Sequence, residues 1–170
     1  PNFMKLLDYY GIGFKDGAVV EDQASANNWT NSPIYLVPTM DAEHAITKNL
    51  SGAKLVIPTP RAIQMPEMPL SGYSYSELLT TSGASFIKPL TSTSDIFTKD
   101  AGAEVGSQVL AMAVLHQESA TDSTMDTRIV VLGSPYLLVD AAMQISRNDL
   151  FTKASFDWML DRQATTYVRS

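Results

Sequence analysis

The run Arg128-Ile129-Val130-Val131-Leu132-Gly133-Ser134 constrains the fold of this chain more than any other stretch. In an extended backbone successive side chains point to opposite faces, so four consecutive apolar residues put apolar surface on both sides, and both sides need cover. A run this short, closed by glycine, reads as a strand with layers above and below it. The pattern predicts an interior strand over Arg128 to Leu132 and a turn at Gly133. The covering layers are available: the chain has 170 residues, 45% of them hydrophobic. A chain of that size buries roughly two-thirds of its unfolded surface without disulfides or a metal. One domain, spanning 1–170, is expected.

Elsewhere the pattern alternates between short apolar runs and helical stripes. Phe3, Leu6, Leu7 and Tyr10 follow the i, i+3, i+4, i+7 spacing of a helix, with Asn2 as its cap and Gly11 as its left-handed stop. Ala18–Val20, Ile34–Val37, Lys54–Ile57, Ser76–Ser82 and Ser85–Ile87 read as strands, and a polar loop fills Glu21–Asn31. Asp41–Leu50 has room for a helical turn around Ala45 and Ile46. The four prolines between Pro58 and Pro69 forbid an unbroken element there. Residues 88–106 form the longest expected loop. Val109–His116 suits a strand or a helix by periodicity, and its short length between Gly106 and an acidic loop favours a strand. After a helical segment near Leu138–Ile145, Asn148 caps a last helix reaching Asp161. Phe151, Ala154 and Trp158 share its inner stripe, while Lys153 and Asp157 lie outside it. Tyr167-Val168-Arg169 reads as a last strand or a linker.

Composition excludes several chemistries. The chain has no Cys, which removes thiol nucleophiles, redox dithiols and Cys-ligated metals. It agrees with export from the reducing cytosol, although many cytosolic domains also lack Cys. Twelve basic residues against eighteen acidic ones give a net charge of -6, with the cations scattered singly, so no nucleic-acid or anionic-membrane surface is expected. No apolar run approaches a membrane span, and no signal peptide is visible. The chain begins Pro1-Asn2-Phe3 without Met, as an excised piece of something longer would.

Each candidate site in the sequence competes with a plainer role. Gly83-Ala84-Ser85-Phe86, Gly106-Ser107-Gln108 and Gly133-Ser134-Pro135 all miss the second glycine of a nucleophile elbow, and a triad base would have to be His44 or His116. Asp41-Ala42-Glu43-His44 suggests a metal site, but a histidine bracing the turn before Ile46 fits better, because a catalytic zinc wants three ligands. Asp122 and Asp126 lack the ligand spacing of a calcium loop, and Gly11 and Gly13 lack a phosphate-binding fingerprint. Trp29, Tyr73 and Tyr75 are the candidate ligand-contact aromatics for a sugar or other small ligand; the competing role is to anchor their loops. No catalytic residue, cofactor or metal ligand is assigned.

Several segments, in order, carry a family likeness: Leu6-Leu7-Asp8-Tyr9-Tyr10-Gly11-Ile12, His44-Ala45-Ile46-Thr47-Lys48-Asn49-Leu50, Leu78-Leu79-Thr80-Thr81-Ser82, Arg128 through Ser134, Asn148-Asp149-Leu150-Phe151 and Trp158. Together they resemble the extracytoplasmic auxiliary subunit of ABC-2-type transporters, the family that includes the gliding-motility-associated transporter component. The resemblance implies an α/β fold, a mixed sheet flanked by helices, similar to part of a class I glutamine amidotransferase-like (flavodoxin-like) sandwich without its catalytic residues. It also implies the later part of a larger extracytoplasmic domain, with earlier strands upstream of Pro1 and membrane attachment through segments outside this chain. The expected function is non-catalytic contact with an ABC transporter permease, a partner subunit or an exported substrate. A small-ligand or carbohydrate-binding domain is the alternative, and a hydrolase using His44 or His116 a third reading.

Overall fold

In a computed structural model, residues 2–22, 26–119, 121–122 and 125–161 are described. The predicted strand at Tyr167-Val168-Arg169 lies outside them. The described residues form three sheets and three α-helices, a mixed α/β fold as expected. Every strand pairing among them is antiparallel, which corrects the expectation of a mixed sheet.

The chain opens with α1 (Asn2–Tyr9), stopped by Gly11 at φ +69° as its sequence predicts. The strands that follow are β1 (Gly13–Phe14), β2 (Ala18–Val20), β3 (Asn28–Trp29), β4 (Ser32–Leu36), β5 (Thr39–Met40) and β6 (Ile57–Pro58). Then come β7 (Ile63–Gln64), β8 (Tyr73–Thr80), β9 (Phe86–Lys88), β10 (Val109–His116) and β11 (Thr127–Leu132). Two helices close the described chain, α2 (Asp140–Ile145) and α3 (Asn148–Met159). The expected helical turn in Asp41–Leu50 is a 3₁₀ turn at Lys48–Leu50, and Lys54–Val56 precede β6 as irregular backbone.

The main sheet is built around β10, which pairs with β8 along one edge and with β7 and β11 along the other. From Leu110 to Val114 its residues are all buried. Leu110 and Ala113 join the larger core with Leu78, Leu79, Phe151 and Ala154, while Met112 and Val114 join a second core with Leu7, Ile12 and Val131. Helix α3 therefore covers one face and α1 the other.

This arrangement corrects the reading of Arg128–Leu132. Among the described residues β11 pairs only with β10, so it is an edge strand. Its four apolar residues are nevertheless divided between two cores: Val130 and Leu132 pack on the α3 side, Ile129 and Val131 on the α1 side. The apolar run demanded two covered faces, and helices supply them; it made no demand on the hydrogen-bonding edges. The turn at Gly133 is as predicted, and its glycine is required by contact, since a Cβ there would lie 2.2 Å from the Arg61 carbonyl oxygen.

Helix α3 carries Phe151 and Ala154 buried and Trp158 half-buried against the larger core, as its stripe predicts. Two details differ. Asp157 is buried, 2.8 Å from Lys153 Nζ, because the ammonium supplies the charge partner that lets a carboxylate sit at the helix flank. Asn148 does not cap its own helix. It is fully buried, and its amide takes the Val56 N–H (3.1 Å) and donates to Val56 O (2.8 Å) and Leu137 O (3.2 Å). The C-terminal end of α3 is tied to β11 by Arg128, whose Nη1 donates to Trp158 O (3.1 Å) and to the Asp161 carboxylate.

The expected loop between β9 and β10 holds no helix or strand. It is organised by Lys88, a buried ammonium that donates to the hydroxyl of Ser94, to Thr98 O (2.6 Å) and to Asp100 Oδ1 (2.8 Å). Hydrogen bonds from Lys88 first, then from Ser94 and Ser92, hold the Asp100 carboxyl at about 2, below its ordinary 3.8. A carboxyl depressed by folding stabilises the fold fully above its unfolded pKa and ceases to do so as pH falls toward the folded value. Thermal stability is therefore expected to fall between pH 4 and pH 2, and Asp100→Asn to flatten that part of the melting-temperature profile. Parallel profiles for the two proteins would contradict the assignment.

Candidate functional site

Two concavities of the surface are framed by the elements above. The first is a cleft of about 540 Å³, within the range of small-ligand sites. Trp29, Thr30 and Tyr35 from the β3–β4 hairpin, Pro58 of β6 and Thr59 just after it form one wall. Tyr136, Val139 just before α2, and Ala141 and Ala142 of α2 form the other.

Each wall has an identifiable cause. The hairpin turns at Thr30 and Asn31, with φ of 52° and 59°, between the paired residues Trp29 and Ser32. Two successive left-handed residues make the tight turn whose twist matches a hairpin, at some steric cost to the branched Thr30. Thr59 is left-handed too, at φ 42°, and is held by donation of its N–H to Ile34 O at 2.7 Å. Tyr35 stands opposite Pro58 across the β4–β6 ladder. The second wall is positioned by Ser134, a residue scanned above as a nucleophile. Its buried hydroxyl donates to Pro58 O (2.5 Å) and accepts from the Tyr136 N–H (3.2 Å), so it caps the 3₁₀ turn Pro135–Leu138 and fixes that turn to β6. Asn148 holds the other end of the same turn through Leu137 O.

Of the three candidate aromatics, only Trp29 lies in this cleft. Tyr73 and Tyr75 sit on β8, in the main sheet. Tyr75 donates its hydroxyl to Tyr10 O (2.8 Å), and desolvation raises its pKa above 10.0. Tyr73 stacks on His116 at 4.0 Å between ring centroids and meets Tyr10 edge-on at 6.1 Å. These rings fasten the end of α1 to the sheet. His116 thus has an aromatic partner, with the Glu118 carboxylate 3.7 Å from Nδ1. His44 braces the turn it was read to brace: the Ile46 N–H donates to its Nδ1 (3.2 Å), its ring meets Trp158 edge-on, and burial lowers its pKa from 6.5. Among the described residues no group of three or more His, Asp or Glu is placed to hold a metal.

Tyr35 and Tyr136 were missed by the sequence reading. The signal available was the Pro135-Tyr136 step after Gly133-Ser134, which places an aromatic at the start of a turn, where it is seldom needed for the core.

The second concavity, about 570 Å³, is a groove between α1 and β11. Phe3, Met4 and Leu6 of α1 face Ile129 to Leu132, with Pro135 and Leu138 beyond the end of the strand. Phe3 and Leu6 are 61% and 54% exposed, so the predicted helix stripe is only half used. The edge of β11 is open as well. The Gly133 N–H bonds Leu110 O (2.8 Å), which sets the phase of the ladder. Thr127, Ile129 and Val131 therefore bond toward β10, and Arg128, Val130 and Leu132 turn their N–H and C=O groups outward. No described residue bonds those outward groups.

No family model matches the chain, and no curated protein matches it. A solved structure described as "mmIFT52 N-terminal domain" is similar in fold, with a TM-score of 0.62 over 96% of this chain at 15% sequence identity. This chain spans 60% of that one. At such identity the likeness concerns the fold alone.

The Ser134 hydroxyl is the element of the cleft most open to test. Ser134→Ala is expected to lower stability by about 1–2 kcal/mol in urea denaturation, through loss of the cap and of the Pro58 bond. A loss below about 0.3 kcal/mol would show that the turn is positioned by packing instead.

Proposed function

We propose that this chain is a non-catalytic contact module of an ABC-type transport system, acting outside the cytoplasm through a permease or partner subunit. The observation that supports it is the α1–β11 groove, where half-exposed apolar side chains lie beside a row of outward backbone groups. Apolar surface next to an open strand edge is where a protein partner gains most, by burying the side chains and completing the ladder at once. Transport, extracytoplasmic placement and membrane attachment through other segments come from the sequence resemblance. Among the described residues no helix is long and apolar enough to cross a membrane. The flavodoxin-like sandwich belongs to the same proposal: the strands described here pair antiparallel, and the resemblance puts the earlier strands of that sandwich upstream of Pro1.

The experiment is co-purification of the full-length protein with its membrane partners, with and without Phe3→Ser and Leu6→Ser together. Both side chains are exposed, so the double variant is expected to melt close to the wild type and to lose the partner. A folded double variant that still retains the permease or partner subunit would contradict the proposal.

A further inference from the structure

We propose that the aromatic cleft binds an extended, proline-bearing peptide with an acidic residue beside the prolines. The proposal is independent of the transport reading and concerns the other concavity, which shares only the neighbourhood of the 3₁₀ turn Pro135–Leu138 with the α1–β11 groove.

Three properties of the cleft carry it. First, its aromatic side chains end in hydrogen-bond donors: the Trp29 indole N–H and the Tyr35 and Tyr136 hydroxyls. None of these pairs with a described residue, and the lining contains no carboxylate or amide. A polyproline-type helix presents flat apolar rings and backbone carbonyls that have no partner within the helix, so it needs slots between aromatic faces and donors on their rims. A sugar, whose hydroxyls must both donate and accept, is served less well by this set.

Second, a cation stands beside the tryptophan. The Lys54 ammonium lies 4.9 Å from the centroid of the Trp29 ring and has no acidic partner among the described residues, in a protein of net charge -6. An acidic side chain flanking the prolines would meet it, which fixes both the charge and the direction of the peptide.

Third, both walls are set before binding. The two-residue hairpin turn at Thr30 and Asn31 and the Ser134 bridge between Pro58 and Tyr136 hold the aromatic faces apart. A stiff ligand entering a fixed cleft loses little conformational freedom on either side.

The test uses the two indole N–H signals of the ¹⁵N-labelled protein, because Trp158 lies on α3, outside the cleft, and serves as the internal control. The probes are end-blocked decaproline, the same peptide extended by Asp, a Gly-Ser decapeptide and cellohexaose. Decaproline is expected to move the Trp29 signal saturably and leave Trp158 in place. The Asp-extended peptide should bind several-fold tighter at low salt, with the gain lost in Lys54→Ala. Tyr136→Ala, at a half-exposed position, should weaken binding about tenfold without disturbing the rest of the spectrum. No movement of Trp29 at millimolar decaproline would overturn the proposal, as would an equal response to the Gly-Ser peptide. A response to cellohexaose alone would assign the cleft to a saccharide. Equal affinities of the two proline peptides would overturn the acidic flank.

Discussion

The side-chain amide of Asn148 is the contact on which the rest of the molecule depends. It offers Val56 the acceptor and donor that a neighbouring strand would offer, and it gives Leu137 a donor as well. Three segments distant in sequence, the approach to β6, the 3₁₀ turn after β11 and the start of α3, are closed on one buried group. Burying an amide is costly unless its capacity is used, and here one oxygen and one NH₂ make three bonds. Loss of the amide would leave the peptide groups of Val56 and the carbonyl of Leu137 buried without partners, each costing on the order of 1–3 kcal/mol. The same bonds place Tyr136 opposite Trp29 and Tyr35, so the candidate cleft inherits its shape from the core.

The division between edges and faces explains what was legible in the sequence. Apolar patterning reports which faces are covered, and it placed β2, β4, β9, β10 and α3 close to their observed positions. It also marked both faces of Ile129 to Leu132 as needing cover, which α1 and α3 supply in part: Val131 is buried, and Ile129, Val130 and Leu132 are half-buried. Pairing at the edges leaves no trace in apolar pattern, so the central strand proved to be β10, and β11 lies beside it. Asn148 was equally ambiguous: an asparagine at the first turn of a helix can cap it or reach across it, and only the position of Val56 decides.

The candidate site was legible in part for a related reason. Trp29 stood out because a large aromatic in a polar stretch needs an explanation. Tyr35 lies within an apolar strand run, where it reads as ordinary core, and Tyr136 is marked only by the Pro135-Tyr136 step. Conversely, Tyr73 and Tyr75 read as loop aromatics open to a ligand, because the pattern starts the strand at Ser76, whereas β8 begins at Tyr73. Alternation puts them on one face, and in the structure that face packs against Tyr10 at the end of α1. Aromatic spacing identifies a shared face; what lies over that face is decided by elements far away in the chain.

Amide hydrogen exchange at Val56 tests this account most directly. Val56 lies in irregular backbone, just before β6, and the acceptor for its N–H is the Asn148 side chain. If that amide closes the core, the Val56 N–H exchanges only through global unfolding, with the same opening free energy and denaturant dependence as Met112 and Val114 of β10. Exchange through local opening, at the rates of the exposed loop around Ser92 and Thr98, would contradict it.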